Sequence, residues 1–198
     1  MLLTWMIFIP LIGMVLVLLL PRDQDNAARW LTFAITLLPL LIAVFLFTNY
    51  DNSEAGIQHE LTIPWIESFG ISYHIGLDGL SVTLVLLTAL LGPICVGASW
   101  KINKGVKAYM ALFLLLETGM IGFFCALDLF LFYVFFELTL LPMYFLVGIW
   151  GGERREYAAI KFFLYTLFGS VLMLVAMIAV YLKSGEAGAR TFDIIELT

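Results

Sequence analysis

The chain is 198 residues long, 63% hydrophobic and 13% charged, with a mean hydropathy of +1.04. A soluble domain is about half apolar and about a quarter charged, so a water-soluble fold is excluded. The formal net charge of -5 argues against nucleic acid as a partner, but the charges fall in loops on opposite sides of a bilayer, where their distribution matters more than their sum.

Crossing about 30 Å of hydrocarbon at about 1.5 Å per residue takes about 20 mostly apolar residues. Spans are predicted at 2–20, 30–48, 80–99, 108–126, 129–150 and 158–182. The fold class is therefore an all-α integral membrane bundle of six transmembrane helices in a lipid bilayer. The first run has no basic flank and ends in Leu18-Leu19-Leu20-Pro21 without a small-residue cleavage site. It is predicted to stay as the first span and not to act as a cleaved signal.

The second loop, 49–79, has no Lys or Arg and carries Asp51, Glu54, Glu60, Glu67 and Asp78. Within it Ile71-Ser72-Tyr73-His74-Ile75 alternates apolar and polar residues between Gly70 and Gly76, which predicts a short strand or hairpin. His59 and His74 lack any supporting metal-ligand spacing and read as structural histidines. Asp78 and Ser81 read as the capped start of the third span. Cys95 and Cys125 lie in apolar runs and read as small buried hydrophobes.

Between the fourth and fifth spans stand only Leu127 and Asp128. One continuous helix over both spans would be about twice the bilayer thickness, so a tight hairpin with Asp128 as the N-cap of the fifth span is predicted. Lys and Arg follow an alternation: Arg22 and Arg29 in the first loop, Lys101, Lys104 and Lys107 in the third, Arg154 and Arg155 in the fifth. Odd loops are therefore expected in the cytoplasm and both termini outside it, in a bacterial inner membrane. Lys183 and Arg190 run against this pattern.

Charged residues inside spans carry the chemistry, because an ionised side chain at the bilayer centre costs at least about 2.5–3.5 kcal/mol. Glu117 and Glu137 lie about ten and about nine residues from the 127–128 turn, which puts both about 14 Å from it, near the midplane. Burial favours the neutral carboxyl and an approaching cation the charged one, so such a group can take up and release a proton. Each reads either as a proton relay or as an acid that hydrogen-bonds a neighbouring helix.

Helical spacing puts Tyr133, Tyr144 and Gly148 on the face of Glu137, and Pro142 five residues on removes a backbone hydrogen bond and invites a kink. Lys161, with Tyr157 and Tyr165 one turn to either side, either snorkels to the interface or serves proton access. No phosphate-binding loop, dinucleotide fingerprint, nucleophile elbow or Cys/His cluster is present. Redox cofactors, nucleotides and catalytic metals are not expected on this chain.

The run Leu127-Asp128-Leu-Phe-Leu-Phe-Tyr133-Val-Phe-Phe-Glu137-Leu-Thr-Leu-Leu-Pro142-Met-Tyr144-Phe-Leu-Val-Gly148-Ile-Trp150-Gly-Gly resembles the antiporter-like membrane subunits of respiratory complex I. Further similarity lies in Gly76-Leu-Asp78-Gly79-Leu80-Ser81 and in Tyr157-Ala-Ala-Ile-Lys161-Phe-Phe-Leu-Tyr165 with Gly169-Ser170. The resemblance implies a proton-pumping subunit of NADH-quinone oxidoreductase, with NADH, FMN, iron–sulfur clusters and quinone held elsewhere in the complex. It also implies other membrane subunits as partners, neighbouring antiporter-like ones among them.

Glu137 then corresponds to the family's essential glutamate, whose lysine partner belongs to a seventh helix, beyond Thr198. Residues 1–126 would form helices one to four with the extracytoplasmic loop 49–79, and 127–198 the start of the proton-translocating module. A multisubunit sodium/proton antiporter or membrane-bound hydrogenase is the alternative, and a scaffold without an ion path a third reading.

Overall fold

The computed structural model describes residues 1–21, 23–51, 56–185 and 190–197; Arg22, Glu54 and Thr198 lie outside these. Among the described residues six α-helices form: α1 (Leu2–Leu19), α2 (Asp25–Thr48), α3 (Gly79–Ala98), α4 (Val106–Cys125), α5 (Leu129–Trp150) and α6 (Arg155–Ser184). Strands β1 (Gln58–Ile66) and β2 (Ile71–Leu77) fall between α2 and α3. All six helices are long and apolar enough to cross a membrane, and the chain is a multi-pass membrane protein.

Two helix starts differ from the hydropathy reading by three residues or more. Helix α2 begins at Asp25, five residues before the predicted start, so Arg29 is a helix residue and not part of the first loop. Hydropathy misses this turn because Arg29 finds most of its acceptors in the third loop, far away in the chain. Its guanidinium donates to Asn26 Oδ1 at 2.7 Å, the Ile102 carbonyl at 2.8 Å and Asn103 Oδ1 at 3.1 Å, which lets it lie buried. Helix α6 likewise begins at Arg155, three residues before its predicted start.

The basic connections meet at one end of the bundle. Lys107 Nζ donates to the Leu18 and Leu20 carbonyls, and Trp150 Nε1 donates to the Lys104 carbonyl at 2.6 Å. At the opposite end β1 and β2 pair antiparallel, with Thr62 across from His74 and Ile63 across from Tyr73. The strand predicted at Ile71–Ile75 is thus one arm of a hairpin. Gly70, at φ 64°, closes the short 3-10 turn before β2, a left-handed conformation that favours glycine.

The hairpin grips the α4–α5 turn. The Leu127 amide donates to the His74 carbonyl at 2.9 Å, while on the other side Leu129 N–H donates to the Phe192 carbonyl at 2.9 Å and Ile194 N–H to the Leu127 carbonyl at 2.8 Å. Residues 126–128 therefore lie between β2 and the C-terminal segment.

Helix α4 is the centre of the packing, against α1, α2, α3 and α5. Its approach to α5 is close because glycine removes the side chains between them. A Cβ on Gly119 would stand 2.7 Å from Thr139 Cγ2, and one on Gly122 2.4 Å from the Phe135 ring. Helix contact through small residues is the usual means of close association in a bilayer, where lipid is as apolar as leucine. Half of the apolar stretch of α4 is buried, against 11% of that of α6, whose outer face carries Tyr165, Phe168, Leu172 and Val175.

Candidate functional site

The position of Glu137 begins with Asp128. Its Oδ1 accepts from the Phe130 and Leu131 amides at 2.9 and 3.0 Å, which caps α5 as predicted, and its Oδ2 accepts from the Ser72 amide of β2 at 3.2 Å. Burial pushes the Asp128 pKa up, and the N–H donors of Leu131, Ser72 and Phe130 pull it back down. One carboxylate thus sets the start of α5 and ties it to the hairpin.

Eight residues into α5, about 12 Å along its axis, stands Glu137. It is half-buried, and its Oε1 is enclosed without a hydrogen-bond partner among the described residues. One turn back, the Tyr133 hydroxyl neighbours both the Glu137 carboxyl and the Ser170 hydroxyl of α6. Further along, Tyr144 packs edge-on against Phe163 of α6 at 5.3 Å, and a Cβ on Gly148 would lie 3.4 Å from Ala159 Cβ. The stripe of Tyr133, Glu137, Tyr144 and Gly148 therefore faces α6. Pro142 is buried, and α5 continues through it as one helix from Leu129 to Trp150, so the expected kink does not break the helix.

Glu117 occupies a different place. It is 3% exposed, both carboxyl oxygens lack a partner among the described residues, and a Cβ on Gly92 of α3 would stand 2.6 Å from its Oε1. The α4–α5 contact runs through Gly119, Gly122, Phe135 and Thr139. Two positions along a helix turn about 200°, so Glu117, two before Gly119, points away from α5, and Glu137, two from both Phe135 and Thr139, points away from α4. The two acids lie the same number of residues from the hairpin end of their helices, yet on opposite sides of this contact.

Lys161 is exposed on α6, its ammonium 5.8 and 5.9 Å from the ring centroids of Tyr157 and Tyr165. Among the described residues it forms no ion pair. The structure thus brings together Glu137, Tyr133 and Ser170, and leaves Glu117 and Lys161 each apart from them.

At the hairpin end His74 is buried, its Nδ1 2.6 Å from Asp193 Oδ2 and its Nε2 2.7 Å from Glu60 Oε1. It ties the C-terminal segment to both strands. Among the described residues no three His, Cys, Asp or Glu side chains are grouped to hold a metal ion. Sequence reasoning missed Asp193, since 119 residues separate it from His74, and it missed Gly92 as the seat of Glu117. Gly119 and Gly122, one turn apart beside Glu117, were the available signal for which way each acid points.

The family model described as NADH-ubiquinone oxidoreductase chain 4, amino terminus, matches residues 4–126. That of the NADH:quinone oxidoreductase/Mrp antiporter transmembrane region matches residues 126–198. NADH-quinone oxidoreductase subunit M of Rhodobacter capsulatus is 43% identical over 96% of this chain and 36% of its own length. The chain spans about a third of the length of such curated relatives. Among solved structures, a chain of respiratory complex I from Thermus thermophilus with bound NADH superposes at a TM-score of 0.84, with 32% identity, over 100% of this chain and 38% of that one. A chain of the Mrp complex from Dietzia sp. superposes at 0.76 with 20% identity, covering 92% of this chain and 20% of that one, a likeness of fold alone.

Proposed function

Because the chain belongs to the NADH-ubiquinone oxidoreductase chain 4 family, we propose that it is the N-terminal part of a proton-translocating membrane subunit of NADH-quinone oxidoreductase, with Glu137 as a proton relay. The observation that carries this reading is the Glu137 carboxyl, held inside the bundle with one oxygen unpartnered and the Tyr133 hydroxyl beside it. The unpartnered oxygen leaves room for a further hydrogen-bond donor beside Tyr133. Tyr133 can donate to the ionised form and accept from the acid, so the hydroxyl serves both states. Ser170 extends the polar path to α6, the helix whose outer face is open to further helices or subunits.

The subunit itself handles protons; NADH, flavin, iron–sulfur clusters and quinone belong to other parts of the complex. Its partners are other membrane subunits, including antiporter-like neighbours. It sits in the bacterial inner membrane with the basic end, where Arg29, Lys104 and Lys107 gather, toward the cytoplasm and the hairpin outside. Residues 1–126 supply the packed support and 127–198 the first part of the translocating module.

A sodium/proton antiporter is the second reading, favoured by the shared family model over residues 126–198. Co-purification with flavin and iron–sulfur proteins supports the oxidoreductase, and its absence the antiporter.

Glu137→Gln tests the relay, because it keeps shape and hydrogen-bonding capacity and removes titration. The variant is expected to assemble on a native gel, while proton translocation and coupled NADH oxidation collapse; Glu137→Asp keeps partial activity. Near wild-type pumping with Gln would eliminate the relay. Tags at Lys104 and Arg154 are expected in the cytoplasm and one at Glu60 outside; finding Glu60 and Lys104 on one side overturns the orientation.

A further inference from the structure

Where α5 meets α6 at the hairpin end, a cleft of ≈ 680 Å³ opens between them, bounded also by the turn before β2 and by the C-terminal segment. Its wall on α6 runs from Leu174 through Met177 and Ile178 to Leu182, about 12 Å along the helix axis. Half of the hydrocarbon thickness is about 15 Å, so the cleft follows most of one leaflet, in the direction of its acyl chains. At the inner end stands Tyr133, whose hydroxyl neighbours Ser170, one turn deeper than Leu174. Apart from Ser68, Arg190, Tyr133 and Tyr181, every lining side chain is apolar.

The mouth of the cleft carries charge of one sign. Arg190 lines it, and among the described residues no acidic side chain does. Arg190 lies across the end of α6, where a Cβ on Gly185 would stand 2.6 Å from its Cγ, and Lys183 follows Leu182 in the last turn. A helix C-terminus favours a cation nearby. Both side chains are nevertheless exposed, and neither forms an ion pair or hydrogen bond among the described residues. They are also the two cations that run against the distribution of Lys and Arg along the chain. A guanidinium matches a phosphate with two parallel hydrogen bonds. An apolar slot along one leaflet with a guanidinium at its surface end therefore has the polarity of a phospholipid, acyl chain inward and phosphate outward.

We propose that this cleft binds a membrane glycerophospholipid, with one acyl chain between α5 and α6 and its phosphate accepting from the Arg190 guanidinium. Lys183 adds a second positive charge beside the head group. The chain reaches Tyr133 and covers the α5–α6 seam there. The inference makes no use of the Glu137 relay and stands if that relay fails.

The test reads retained lipid. The full-length protein in its assembled complex is reconstituted in vesicles of phosphatidylethanolamine with phosphatidylglycerol whose acyl chain carries a diazirine. It is then washed in lipid-free detergent, irradiated, digested and mapped by mass spectrometry. Label is expected on Met177 and Ile178 after the wash. A diacylglycerol with the same diazirine chain lacks the phosphate and should leave about tenfold less label there, the size of one hydrogen bond to a charged group. Arg190→Glu should lower the phospholipid label by a similar factor, and Arg190→Lys should retain most of it. The two-probe comparison uses the unaltered protein and decides even if a variant fails to assemble. Equal label from the two probes, or undiminished label in an assembled Arg190→Glu complex, would overturn the proposal by showing an apolar slot indifferent to the head group. Absence of label from both probes would overturn it as well, by showing the cleft to be closed by another segment of protein.

Discussion

Helices α1 to α4 and helices α5 and α6 solve the same problem differently. In the first group each helix is flanked by others, and the acid they hold, Glu117, is enclosed among them. In the second group α6 packs chiefly on α5 and on Phe192 of the C-terminal segment, most of its side chains face outward, and Glu137 stays half-buried at the seam. Enclosure closes Glu117 off among α1–α4, while the open side of α5–α6 leaves room for additional groups to approach Glu137. The boundary between support and candidate chemistry therefore runs along the glycine-lined contact of α4 with α5.

That comparison can be broken most severely at the clamp across the hairpin end. His74→Leu leaves Asp193 without its partner and is expected to remove about 1.5–3 kcal/mol from the docking of the C-terminal segment. Faster proteolysis within 190–197 in right-side-out vesicles measures it; an unchanged cleavage rate would show that Phe192 and Ile194 hold the segment unaided.

Next in size is the α4–α5 contact. Gly122→Ala drives a methyl to 2.4 Å from the Phe135 ring, and overpacking of this kind costs about 1–3 kcal/mol. A lower thermal midpoint of the purified protein is expected, along with a changed angle between α4 and α5 that should reduce pumping.

Smaller still is Tyr133→Phe, which removes one hydroxyl beside Glu137 and is expected to cost about 0.5–1.5 kcal/mol, a few-fold loss in proton translocation with stability unaltered. If stability falls instead, Tyr133 belongs to the support and not to the chemistry. At the low end, Gly169→Ala in the interior of α6 meets nothing within 4 Å and should stabilise, by no more than about 1 kcal/mol. The contrast between Gly122 and Gly169 is the sharpest stability test of the two regions.

All six membrane helices were legible in hydropathy, because about 20 apolar residues in a row have few other fates. Asp128 and Asp78 were legible as caps for a local reason: a carboxylate two or three residues before free amides finds them without help from the rest of the fold. The hairpin was legible in part, as one strand of alternating residues, while the irregular pairing of β1 hid its partner. The start of α2 was missed because Arg29 finds its acceptors in the third loop, a contact that no window of sequence contains. Equal depth of Glu117 and Glu137 followed from counting. Their opposite facing needed the glycines of α4 to be read as the contact surface, and the link from His74 to Asp193 had no local signal at all.

The clamp on the α4–α5 turn also constrains how the protein is made. The turn between Cys125 and Leu129 is so short that α4 and α5 fold back on each other as one antiparallel pair. The hairpin precedes the turn in the chain, so its Ser72 amide and His74 carbonyl are made before Asp128 and Leu127, the groups they hold. The strands thereby give the polar backbone of the turn partners that the ends of two membrane helices would otherwise lack.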